Sequence, residues 1–219
     1  QNEEALIERM QTLFDRLNKE YKPDIAVVAC NTASTISLPS LRQKFSFPIV
    51  GVVPAIKTAA SLSSTRHIGL LATPGTIQRN YTKDLIAEFA SDCKTTLLGS
   101  CELVEIAEEK LRSQKIDLSA LNKILKPLQA PDIDTLVLGC THFPLVKEEL
   151  THQLPHIKHW VDSGSAIANR VEYLINMGNI PSNSSQAHKY LYTDKNSPPC
   201  DAMLNSLASF GILQVEAFD

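Results

Sequence analysis

The sequence predicts an α/β fold of two pseudo-symmetric lobes, each a mainly parallel sheet flanked by helices. Three observations predict it. Short, β-branched apolar runs alternate with amphipathic stretches along the chain; the runs lack polar alternation, as in strands covered on both faces; and one run-plus-cysteine pattern occurs twice.

The elements follow in order. Leu6, Met10, Leu13, Phe14 and Leu17 recur at helical spacing with Glu3, Glu4, Glu8, Arg9 and Arg16 between them, so residues 3–20 read as an amphipathic helix. Tyr21-Lys22-Pro23-Asp24 ends it and IAVVA follows as a strand. A short helix over 39–45, the strand PIVGVV, a helix over 55–62 and the strand HIGLLAT continue the rhythm. Next come a helix over 76–90, a strand at TTLLG, helices over 102–112 and 118–128, and the strand DTLVLG. A helix over 145–154, the strand KHWVD and a helix over 165–175 lead to NIPSNSSQAHKY, which is polar and loop-like. KYLYT as a strand, a helix over 202–209 and ILQVEAF as a last strand complete the chain. Lobe boundaries near Val53-Pro54 and Ser163-Gly164 make residues 1–53 plus 164–219 the first lobe and 54–163 the second.

The repeat is D-I-A-V-V-A-C-N-T at 24–32 against D-T-L-V-L-G-C-T-H at 134–142. Its period is unlike that of a solenoid, and it implies two similar lobes facing each other. Loops at the carboxyl ends of parallel strands line ligand crevices, and Cys30 and Cys140 both fall there. If helices begin just after them, the free N–H groups favour anions and lower a cysteine pKa from about 8.5 toward neutrality. Inverting an amino acid at its α-carbon needs two groups on opposite faces, one deprotonated and one protonated. Two thiols in matched lobes meet that need without flavin, metal or pyridoxal, and Asn31, Thr32 and Thr141 are the residue types that hold a carboxylate beside the developing charge.

Bulk properties exclude other classes. A net charge of −3 gives no basic field for nucleic acid, and 43% hydrophobic with 21% charged residues is ordinary for a globular protein. The opening QNEEALIERM lacks the features of a signal peptide, and no apolar run reaches bilayer length. Five cysteines, at 30, 93, 101, 140 and 200, form no CxxC pair, which fits a reducing compartment and hence the cytoplasm.

The stretches VVACNTAST, GVVPAIKTAA, LLATPGTI and LVLGCTHFPL resemble glutamate racemase, and the likeness runs over nearly the whole chain. The resemblance implies interconversion of L- and D-glutamate, supply of D-glutamate for peptidoglycan, no cofactor and no metal. It implies that Cys30 and Cys140 are the catalytic thiols, that His142 assists Cys140, and that Glu108 is the acidic residue near one thiol, with Glu105 three positions earlier as the competing register. Asn31, Thr32, Thr73, Thr76, Thr141 and His142 would contact substrate. A homodimer and a cell-wall precursor as regulator belong to the same expectation. The family's Asp-Ser-Gly turn and Tyr-Gly pair do not precede Gln1, so the first lobe is expected to be incomplete at its N-terminus, with exposed strand edges and low or no racemase activity. Asp162-Ser163-Gly164 follows a late strand and is not that turn. The alternatives are a racemase for aspartate, a hydantoin or another carboxylate, and a non-catalytic binding fragment.

Plainer readings compete at each position. Cys93, Cys101 and Cys200 are left as core or surface residues, and Cys140 with His142 lacks a third and fourth ligand for zinc. A Cys30–Cys140 disulfide is expected only on oxidation. His152, His156 and His159 lie near a helix end, Glu105, Glu108 and Glu109 fit a charged helix face, the threonines of ATPGTI fit a turn and cap, and Asp162-Ser163 fits a cap.

Overall fold

The computed structural model describes residues 3–113, 115–178, 180 and 188–218. Helix α1 (Glu3–Tyr21) turns through Lys22, held at a positive φ of 45°, into strand β1 (Ala26–Val28). Helix α2 (Asn31–Lys44) leads to β2 (Ile49–Gly51), which pairs with β1 in parallel. Phe14 of α1 packs with Val28, Leu38, Leu41, Phe45 and Ile49 in the small core between these elements.

After α3 (Ile56–Leu62) comes β3 (His67–Ala72), all six residues buried, one of the two inner strands of a four-stranded sheet. Helices α4 (Pro74–Gln78) and α5 (Asn80–Phe89) lead to β4 (Lys94–Gly99), and α6 (Glu102–Ser113) and α7 (Leu118–Leu125) lead to β5 (Thr135–Leu138). Helix α8 (Lys147–Gln153) and β6 (His159–Val161) follow, and the strand order is β4-β3-β5-β6, all parallel. Leu70 and Val137 face the α3 side, while Leu71, Leu136 and Leu138 face α6, α7 and α8. Burial on both faces is why these strands read as unbroken apolar runs. Helix α9 (Gly164–Gly178), β7 (His188–Tyr192), α10 (Asp201–Ser209) and β8 (Ile212–Ala217) end the chain, and β7 and β8 form a third parallel pair. Within the described residues β1 has only β2 beside it, and Val27 is exposed. Residues 181–187 of the polar loop NIPSNSSQAHKY lie outside the described residues.

Four local expectations are corrected. Helix α2 begins at Asn31 and not at Pro39, and the hydroxyls of its first turns are satisfied within it: Ser37 donates to the Ala33 carbonyl and Thr35 to that of Thr32. The helix expected over 76–90 is two helices, because Arg79 is extended (ψ 142°) and the buried Thr82 hydroxyl donates to the carbonyl of Thr76 across the break. At 118–128 the α-helix stops at Leu125 and Pro127 sits in a 3₁₀ turn. The segment after Cys140 is likewise a 3₁₀ turn (Phe143–Val146), with α8 delayed to Lys147. No helix among the described residues is long and apolar enough to cross a membrane.

Candidate active site

Parallel pairing brings the carboxyl ends of β3, β4 and β5 to one edge. The N–H of Gly139 donates to the Leu71 carbonyl (2.7 Å) and that of Ser100 to the Ala72 carbonyl (3.0 Å), so Cys140, Thr73 and Cys101 emerge side by side. Gly139 is required where β5 leaves the sheet: a Cβ there would sit 2.8 Å from Leu70 Cδ1 and 3.2 Å from the Leu71 carbonyl oxygen.

The end of β1 faces this edge. Thr141 Oγ1 donates to the carbonyl of Ala29 (3.0 Å), so the residue after Cys140 is bonded to the residue before Cys30. Thr32 in the first turn of α2 completes the junction. Its hydroxyl lies 3.1 Å from Thr73 Oγ1 and 3.1 Å from Thr76 Oγ1, and these two are 3.0 Å apart, a closed ring of three hydroxyls. Thr73 also caps α4, its oxygen accepting the N–H of Thr76 (3.3 Å). Away from the site, Ser163 donates to the Val53 carbonyl (2.6 Å), tying together the two points where the chain passes between the β1–β2 region and the four-stranded sheet.

The two cysteines are built differently. Cys30 is exposed and caps α2, and Sγ accepts the Ala33 N–H at 3.5 Å. This is the donor that a sulfur bearing negative charge needs. Cys140 is 8% exposed, within the core of Leu138, Phe143 and Val146, and a 3₁₀ turn follows it. The expected depression of its pKa is therefore corrected: burial pushes the Cys140 thiol up, the main-chain N–H groups of His142 and Thr141 oppose that only partly, and negative charge at Cys30 adds to it. Charge on one thiol is thus felt by the other.

Behind Cys140 the side chains form a line. His142 Nδ1 is 3.8 Å from Cys140 Sγ, and its Nε2 is 3.4 Å from Glu108 Oε1. Of the two candidate registers on α6, it is Glu108 that meets His142; Glu105 and Glu108 both line a neighbouring surface groove. Arg112, one turn on, donates from Nη2 to the other oxygen of Glu108 (3.1 Å). Sequence reasoning missed Arg112 because an i,i+4 Glu–Arg pair reads as ordinary helix surface. Asn31 is 4% exposed, and its Oδ1 has no hydrogen-bond partner among the described residues. A buried acceptor beside Cys30 is costly unless a donor reaches it.

Of the remaining candidates, Cys101 shares this edge of the sheet. Cys93 is half-buried near Asp92, Cys101 is exposed after β4, and exposed Cys200 caps α10 with Sγ 3.9 Å from the Arg112 carbonyl. His152 is exposed, and His156 contacts the Leu128 carbonyl. Asp162 Oδ1 accepts the N–H of Gly164 (2.7 Å) at the start of α9, a capping contact. Among the described residues no group of three or more His, Cys, Asp or Glu side chains is placed to hold a metal ion. At the opposite edge of the sheet lie two buried polar residues: His67, which the sequence did not single out, and Asp134, known there only as the first position of the repeat. His67 bonds Asp132 and Thr96, both at 2.8 Å, and Asp134 is a hydrogen-bond hub for the turn after α3.

Comparison with known proteins shows what the chain resembles. Glutamate racemase of Pasteurella multocida (strain Pm70) is 50% identical over 186 residues, 84% of this chain and 69% of the relative. That of Shewanella loihica is 47% identical over 219 residues, 99% of this chain and 80% of the relative. A crystal structure of Escherichia coli glutamate racemase in complex with L-glutamate and the activator UDP-MurNAc-ala superposes with a TM-score of 0.92 at 45% identity, over 100% of this chain and 82% of that one. A family model described as Asp/Glu/Hydantoin racemase matches residues 2–171. With paired thiols at facing strand ends and that match across most of its length, the chain belongs to the Asp/Glu/Hydantoin racemase family, whose members are isomerases.

Proposed function

We propose that this chain interconverts L- and D-glutamate without a cofactor, with Cys30 and Cys140 as the two proton-transfer groups. The observation that carries the reading is the hydrogen bond from Thr141 to the Ala29 carbonyl, which fixes the two cysteine-bearing loops against each other. Glutamate as the substrate is supported by the glutamate racemases that resemble the chain.

In one direction a thiolate takes the α-hydrogen: the C–H bond breaks, its electron pair stays on carbon, and an S–H bond forms. The second thiol then gives its proton to the opposite face and becomes the thiolate. In the direction that starts from a protonated Cys140, whose pKa burial raises, that thiol is the donor and Cys30, with the Ala33 N–H at its sulfur, is the acceptor. His142 stands within reach of the Cys140 proton, and Glu108 stands at the far nitrogen of the ring. The hydroxyls of Thr32, Thr73 and Thr76 supply donors for a carboxylate, and Asn31 Oδ1 supplies an acceptor for the substrate ammonium. Residues 1–53 plus 164–219 and residues 54–163 act as the two lobes that carry one thiol each. Such a product serves peptidoglycan synthesis in the cytoplasm. The activator held by the Escherichia coli relative suggests a cell-wall precursor as regulator of this chain too.

The test is incubation of each enantiomer of glutamate in deuterated water. The product enantiomer should carry α-deuterium from its first appearance while unreacted substrate keeps its hydrogen, and Cys30→Ser and Cys140→Ser should each abolish the inversion. Inversion at the parent rate in either variant would refute the assignment, whereas absence of exchange in the parent would match the low activity expected from the sequence.

A further inference from the structure

We infer that Arg112 is a positioning residue for proton transfer at Cys140, acting through Glu108 and His142. Its role rests on the reading of Cys140 as a proton-transfer thiol. Four groups on two elements form one chain of contacts: Cys140 Sγ to His142 Nδ1 at 3.8 Å, His142 Nε2 to Glu108 Oε1 at 3.4 Å, and Glu108 Oε2 to Arg112 Nη2 at 3.1 Å. Each end of the Glu108 carboxylate is thereby committed, one oxygen to the ring and one to the guanidinium.

That arrangement has a chemical consequence. A carboxylate at Nε2 holds the neutral ring with its hydrogen on Nε2, which leaves Nδ1 free to accept from the thiol. When the Cys140 S–H breaks, an N–H forms at Nδ1, and the positive ring is held by Glu108. Glu108 is 44% and Arg112 60% exposed, so neither is fixed by packing. Without a second contact the glutamate side chain would sample several rotamers, and the ring would lose its partner part of the time. Arg112 sits on the same helix one turn along, the spacing at which the guanidinium reaches the outer oxygen. Its main-chain carbonyl is also met by Cys200 Sγ (3.9 Å) at the start of α10, so the C-terminal segment abuts this turn of α6. As an exposed i,i+4 pair the Arg112–Glu108 contact adds little to folding. A loss on its removal would therefore report on His142 and Cys140 and not on stability.

The experiment compares Arg112→Gln, Arg112→Lys and Glu108→Gln with the parent. Cys140 and Cys30 are alkylated with iodoacetamide, and each modified peptide is followed by mass spectrometry. This readout does not require turnover, and Cys30 in the same molecule is the internal standard. The Cys140 to Cys30 rate ratio at about pH 9, where Cys140 begins to react, should fall several-fold in Arg112→Gln and in Glu108→Gln, stay near the parent in Arg112→Lys, and do so with an unchanged melting temperature. Where turnover is measured, kcat in Arg112→Gln should fall roughly tenfold, part of the 10²–10⁴ that a positioned acid–base group contributes. A parental ratio in Arg112→Gln overturns the inference, as does a fall in ratio accompanied by a lower melting temperature. Arg112→Lys no better than Arg112→Gln also overturns it. The two readings separate cleanly: slowing in Glu108→Gln alone removes Arg112 from the line, whereas no slowing in Glu108→Gln removes the line itself. Failure of the deuterium experiment above would instead fall on the two-thiol reaction.

Discussion

Asp134→Ala is expected to be among the most damaging single changes outside the apolar core, and Asp134→Asn far milder. Asp134 is 2% exposed at the amino end of β5. Oδ1 accepts from the hydroxyls of Ser63 (2.6 Å) and Thr135 (2.9 Å), and Oδ2 accepts from the main-chain N–H groups of Ser64 (2.8 Å) and Thr65 (3.0 Å). Burial alone would raise its pKa, but these bonds outweigh burial and hold the carboxyl well below the usual carboxylate range. Alanine strands four donors, two of them fixed in the backbone. Bonds to a charged acceptor are worth about 1.5–3 kcal/mol each and are not additive, and water reaches the exposed turn, so the loss is about 3 kcal/mol. Asparagine keeps an oxygen for the two N–H groups, and its NH₂ meets hydroxyls that can rotate to accept, which leaves a loss of about 1 kcal/mol. For a chain of this size those losses lower the melting temperature by roughly 6–12 °C and 2–4 °C respectively. Thermal unfolding followed by circular dichroism reads both. The sign with pH follows from the lowered pKa: the contribution is whole above the unfolded-state value near 3.9 and fades as pH falls below it. The gap between parent and Asp134→Ala should be constant from about pH 8 to 5 and narrow only in stronger acid. Equal losses in the two variants, or a gap that closes near neutrality, would refute this account.

Three further outcomes are expected. Gly139→Ala would place a methyl against Leu70 and the Leu71 carbonyl, cost about 1–3 kcal/mol and displace Cys140, so urea unfolding and racemisation should both suffer. Thr141→Val removes the bond to Ala29 and about 1 kcal/mol of stability. Its racemisation rate, read by polarimetry, should fall roughly tenfold or more because the two loops lose their common anchor. Alkylation of Cys140 should rise only at pH above the ordinary thiol value of about 8.5, since burial raises its pKa, and Cys30→Ser should move that rise to lower pH by removing the neighbouring negative charge.

The four-stranded sheet was legible because burial on both faces leaves uninterrupted runs such as HIGLLA and TLVL. Helix α2 was less so. Its serines and threonines bond to carbonyls of their own helix and of β1, where Ser34 reaches Val28, and no periodicity reveals such bonds. The repeat showed where both thiols would lie but misled about their surroundings. Asp24 and Asp134 occupy matching positions, yet the first is exposed and the second is a buried hub. Likewise Cys30 opens a helix while Cys140 opens a 3₁₀ turn, since Pro144 follows in one motif and Ala33-Ser34 in the other. Pairing of Glu108 with His142 depends on how α6 lies against the end of β5, a tertiary fact that spacing along the chain does not carry.

The ring formed by Thr32, Thr73 and Thr76 has its own implication for affinity. Three alcohols own three hydrogens, and a closed triangle uses one along each side. An arriving anion can claim those hydrogens only by undoing sides of the triangle, so it gains the difference between two sets of bonds. If the triangle receives the substrate carboxylate as proposed, holding is loose by construction, which suits a catalyst whose product is the mirror image of what it took in.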